Sequence, residues 1–116
     1  MVRSTILAVL LAACAAAPPL KQLDLATGSI HSAEHGGAAD VPRAALYLQL
    51  AQEQTKRAGD LIAAGGEDNM KAANRLLLRA QADGELARVI AEADRDRVAA
   101  AQAIERVEAL EAGGAK

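Results

Sequence analysis

The apolar positions of this chain recur at alternating three- and four-residue steps, the repeat of one helical face. Three stretches carry the pattern. The first runs from about Leu20 to His35, through Leu20, Leu23, Thr27, Ile30 and Glu34, with Ala26 and Ala33 alongside. Gly28 weakens this helix and the segment "HGGAAD" ends it. The second, about Pro42 to Ala64, opens on a proline suited to a first helical turn. Ala44, Tyr47, Ala51, Gln54, Ala58 and Leu61 lie on one side of it, flanked by Leu50 and Ile62. Gly65 and Gly66 permit a left-handed close. Glu67 and Asp68 favour the positive end of the helix that follows.

That third helix is expected from Glu67 to Ala112, where Gly113-Gly114 ends it. Its length is roughly 65–70 Å at 1.5 Å per residue. Met70, Ala73, Leu77, Ala80 and Ala87 form the apolar side of its first half. In the second half the stripe shifts to Leu86, Ile90, Ala93, Ala100, Ile104 and Val107, with Arg97 interrupting. Gly84 sits mid-helix and costs about 1 kcal/mol relative to Ala. It marks a close approach or a bend, and Gly84→Ala is expected to stabilise the helix; marked destabilisation would point to close packing there.

The expected fold is therefore all-α: an elongated antiparallel hairpin or three-helix bundle with a long C-terminal helix. The helical domain spans residues 20–112, and residues 113–116 form a flexible tail. A short turn lays helix two antiparallel along helix three, but helix two reaches only to about Ile90. Helix one folds back along helix two and reaches no further. The stripe from Ala93 to Val107 is left without an intrachain cover, and an exposed stripe at heptad-like spacing predicts another helix as partner.

Composition narrows the picture. Hydrophobic residues make up 52% of 116 positions, yet there is no Phe, no Trp and one Tyr, while about thirty residues are Ala. Alanine is the best helix former but buries little apolar area. One domain with a thin core follows, not a globule with a large pocket. Runs of β-branched and aromatic residues that signal strands are missing. The net charge of −2 leaves no basic footprint for nucleic acid.

The N-terminus follows a different pattern. Arg3 supplies a positive region and Ile6 to Ala13 an apolar one ending in small residues, the layout of a short secretory signal. The apolar run ends at Ala17, before Pro18-Pro19, too short to span a bilayer. Cys14 is the only cysteine, so no intrachain disulfide can form. Leu11-Ala12-Ala13-Cys14 resembles the bacterial lipobox, an aliphatic residue and two small ones before Cys. That resemblance implies removal of residues 1–13, a thioether-linked diacylglycerol on Cys14 and an acyl group on its freed amine. No other cofactor is expected. Three chains anchor effectively permanently, since one alone binds only marginally. Residues 14–19 then read as a tether, extended by its prolines. Ala15, rather than Asp, after the lipidated residue implies the outer membrane of a Gram-negative cell, with the protein facing the periplasm.

Residues 29–93 carry a further resemblance. Ile30 and Ala33 precede a Gly37-Ala38 break. Pro42 then opens a helix with Ala44, Ala51 and Ala58 at seven-residue steps. A Gly66-Glu67 turn follows, and then Asp83 with Leu86-Ala87. This segment resembles the bacterial envelope family called domain-of-unknown-function 4398, mostly alanine-rich helical lipoproteins. The resemblance implies a helical lipoprotein and brings no activity with it. Gly84 departs from the family pattern, which more often has Ala there.

Two clusters could carry chemistry. "HSAEH" places His31 and His35 four apart on one helical face, a spacing that lets two imidazoles grip Zn²⁺, with Glu34 between them. It also matches an inverzincin signature, but a catalytic zinc needs a third protein ligand and a cleft. The alternative to an adaptor is thus a metal-binding lipoprotein using His31, Glu34 and His35. Arg75, Arg79, Arg88, Arg95, Arg97 and Arg106 interleave with Glu85, Glu92, Asp94, Asp96, Glu105 and Glu108, a mixture that mostly serves helix stability. Lys116 ends the chain on a "GGAK" tail that sterically allows attachment to peptidoglycan, a likeness to the cross-linked enteric lipoprotein one residue deep. No Ser-His-Asp set, phosphate loop or cysteine-metal cluster is present. The expectation is a non-enzymatic, lipid-anchored envelope protein. Its helical domain binds or spaces other envelope components, or self-associates, through the C-terminal helix.

Overall fold

A computed structural model describes residues 19–114. Three helices account for most of them: α1 (Pro19–His35), α2 (Pro42–Ala64) and α3 (Glu67–Gly114). A single 3₁₀ turn, Ala38–Asp40, sits between α1 and α2. No strand occurs among the described residues. The signal, lipobox and Cys14 lie outside them, as do residues 115–116.

The expected helices are present, with two differences at their ends. Pro19 belongs to α1 rather than to the tether. Its ring removes only an N–H that the first turn leaves unpaired anyway. Gly113 and Gly114 do not end α3 but continue it, so the tail expected from residue 113 is helical to Gly114. Both expected turns depend on glycine: Gly37 has φ 81°, Gly65 φ 72° and Gly66 φ 89°. These values cost L side chains energy and cost glycine none. Asn69 Nδ2 donates to the Gly65 carbonyl at 2.7 Å, tying the first turn of α3 to the loop.

The core consists largely of alanine. Ala44, Ala51 and Ala58 of α2, at seven-residue steps, are fully buried, and so are Ala73, Ala80 and Ala87 of α3. The two series belong to one cluster across the antiparallel hairpin, in which Leu77 is the largest fully buried side chain. Small side chains let the backbones approach closely, and such cores tolerate added volume poorly. Gln54 Nε2 donates to Asp83 Oδ2 at 2.8 Å across the same interface.

Helix α1 packs on α3, running parallel to it. Gln22 Nε2 donates to Gln81 Oε1 at 2.7 Å, and one heptad later Ser29 lies against Gly84. The buried face of α1 keeps Ala26, Ile30 and Ala33 of the expected pattern, with Leu23 half-buried against the core, but adds Gln22 and Ser29 and leaves out Leu20 and Glu34. A face of Ala and Ser brings the two backbones together where Leu would hold them apart.

Gly84 resolves as a close-approach point. A Cβ there would meet Ser29 Oγ and lie 3.1 Å from the Ser29 carbonyl carbon and 3.2 Å from the Ile30 nitrogen. Ser29 Oγ reaches the carbonyls of Ala26 at 3.2 Å and Gln81 at 3.1 Å, which holds α1 at this distance. The stabilisation expected of alanine at position 84 therefore reverses sign.

Candidate functional site

The two halves of α3 differ completely in surroundings. Up to Ala91 the helix is covered by α1 and α2; from Arg95 to Gly114 every residue is exposed. The uncovered run from Glu92 is about 34 Å long at 1.5 Å per residue. Its cause lies in lengths alone. α2 has 23 residues against the 48 of α3, and α1 has 17 and begins part-way along.

The apolar stripe expected on this half is present and bare. Ala93 and Ala100 are exposed, and Ile104 and Val107 are 59% and 54% exposed. Leu110 is 75% exposed as well, but at 100° per residue it lies roughly a quarter-turn off the stripe. The two upper members need correction. Ile90 is half-buried against the core cluster, so it belongs to the hairpin as much as to the stripe. Leu86 is exposed, but at a level where α1 and α2 still cover the other side of α3.

The direction of the stripe decides what can cover it. Successive residues turn roughly 100° about a helix axis. Gly84, Ala87 and Ala91, all buried, share the face that α1 and α2 cover. On the same count, Leu86, Ala93, Ala100, Ile104 and Val107 fall on roughly the opposite face. The buried face, continued beyond Ala91, meets Arg95, Gln102 and Glu105 together with exposed Val98 and Ala109. A helix covering the Ala93–Val107 stripe would lie on the side of α3 away from α1 and α2. Hairpin nucleation and ion pairs such as Arg97–Asp94, at 2.7 Å, support the bare helix meanwhile.

His31, Glu34 and His35 lie at the end of α1 and are exposed. His31 Nδ1 stands 3.2 Å from Glu34 Oε2, and Glu34 Oε1 accepts from Gln52 Nε2 of α2 at 2.9 Å. Glu34 thus joins α1 to α2. Among the described residues no group of three or more His, Cys, Asp or Glu side chains is arranged to hold a metal ion. No described helix is long and apolar enough to cross a membrane.

The arginine series divides in three, since Arg95 and Arg106 are exposed with neither an ion pair among the described residues nor a place in a groove. Arg88 pairs with Glu85 and Glu92, at 3.3 and 3.0 Å, and Arg97 with Asp94. Arg75 and Arg79 have no carboxylate within ion-pair distance among the described residues; instead they line a groove of about 360 Å³ between α2 and α3. Arg57 of α2 completes it, with Leu61, Ala72 and Leu76. Arg57 was missed as a site residue, though a signal existed: it lies about as far before the glycine turn as Arg75 lies after it. No protein family, curated protein or solved structure matches the chain.

Proposed function

We propose that the chain is a non-enzymatic, lipid-anchored protein of the bacterial cell envelope whose uncovered helix docks against another helix. The observation that carries the docking is the bare stripe from Ala93 to Val107, on the side of α3 away from its own hairpin. The anchor rests on the lipobox-like residues Leu11, Ala12, Ala13 and Cys14. Ala15 places the lipid in the outer membrane on the usual sorting rule, with the helices in the periplasm.

The geometry supports a division of labour. α1 runs parallel to α3, so its start at Pro19 faces the glycine-turn end of the hairpin. The bare half of α3 projects from the other end. The first described residue, Pro19, and the uncovered arm thus lie toward opposite ends of the hairpin. The partner is an apolar helical surface, either on another envelope protein or on a second copy of this chain, joined in coiled-coil fashion.

The test of the anchor is Cys14→Ser, expressed in a Gram-negative host. The variant is expected in the soluble periplasmic fraction without incorporated palmitate. Continued membrane retention would overturn the lipid-anchored reading.

A further inference from the structure

We infer that the groove formed by Arg57, Arg75 and Arg79 is a binding site for the phosphate headgroup of an anionic membrane lipid. Two helices contribute its cations, and its floor is apolar: Leu61, Ala72 and Leu76. A guanidinium fork matches phosphate oxygens in a bidentate geometry. The adjacent apolar floor suits the glycerol and first methylenes of a lipid, which a free inorganic anion lacks.

The charge arrangement points the same way. Lys71, Arg75 and Arg79 follow one another at four-residue steps, a like-charge ladder that destabilises a helix. Lys71 is relieved by Glu67 at 2.6 Å, but the three groove arginines have no such partner among the described residues. This is not a surplus forced by composition, because the chain as a whole carries −2. An anion in the groove removes the repulsion.

Position supplies the source. The groove lies toward the glycine turn, the end that the start of α1 faces. The choice of a bilayer lipid over a soluble phosphate ester rests on the lipid-anchored reading; the anion chemistry does not.

The test uses the processed chain from residue 14 carrying Cys14→Ser, so that neither lipid nor the apolar signal takes part. It is incubated with vesicles of phosphatidylcholine alone or mixed with phosphatidylglycerol, and the partition coefficient is measured by flotation. Each cation near a charged surface contributes roughly fivefold. Binding is therefore expected to prefer the anionic vesicles, and Arg57→Gln/Arg75→Gln/Arg79→Gln to lower it on the order of a hundredfold. Arg57→Gln alone is expected to lower it about fivefold, with helicity by circular dichroism unchanged. A control, Arg88→Gln/Arg97→Gln/Arg106→Gln, removes the same charge elsewhere and is expected to lose far less. Equal binding to both vesicle types, or equal loss in the control, overturns the site. Binding of glycerol 3-phosphate without anionic-vesicle preference overturns the lipid as its source.

Discussion

A Cβ at position 84 would press on Ser29 Oγ and on the backbone of α1 at 3.1 and 3.2 Å. Backbone cannot step aside as a flexible side chain can, so Gly84→Ala is expected to destabilise by about 1–3 kcal/mol, despite the helix propensity it gains. Urea unfolding followed by circular dichroism checks this; an unchanged or raised midpoint would mean that α1 does not pack this closely on α3. Glycine's cost within a helix was legible in the sequence. Its cause was not, because the neighbour that demands it, Ser29, lies far away along the chain and is polar. Apolar periodicity gives weight to Leu20 and Leu23 and none to Gln22 or Ser29. It therefore found Ala26, Ile30 and Ala33 but not Gln22 and Ser29, which face α3 through hydrogen bonds to Gln81.

Helix α3 combines two helices with different faces in one continuous rod. Its first half presents Ala73, Leu77, Ala80, Ala87 and Ala91 to the hairpin. Its second half presents Ala93, Ala100, Ile104 and Val107 in roughly the opposite direction. The shift of stripe was visible in the residue pattern, as were both loops and the extent of cover, since lengths and glycine turns set them. The helical count sets the two stripes roughly back to back. What it could not show is that Ile90, assigned to the outer stripe, is half-buried against the hairpin core. The arginines illustrate the same limit, because what sets Arg75 and Arg79 apart is the groove they share with Arg57 of α2. At this scale, Ile104→Glu puts a charge in the centre of the stripe without touching the hairpin. It is expected to lower the associated fraction, with a second copy or a captured partner, at least tenfold by light scattering or pull-down, since burying a side chain of this size contributes about 1.5–3 kcal/mol. Melting of the hairpin should not change. Unaltered association would make the stripe mere solvent-exposed helix.

As a whole the molecule is a short hairpin with a rigid arm about as long as the hairpin itself. The chain enters α1 part-way along the hairpin, the cationic groove lies toward the glycine turn, and the arm leaves past Ala91. Under the proposed anchoring at Cys14, the start of α1 and the uncovered arm lie toward opposite ends of the hairpin, the arrangement expected of a spacer. The thin alanine core limits what else it can do, because little apolar volume remains to shape a substrate pocket. The most direct measurement of this account is photocrosslinking in cells from single positions along the arm. Ala93, Ala100, Ile104 and Val107 are expected to capture another helix, while Arg95, Gln102 and Ala109, on the other face, are not. Capture that ignores this helical period, or that comes from Arg95, Gln102 and Ala109 instead, would contradict it.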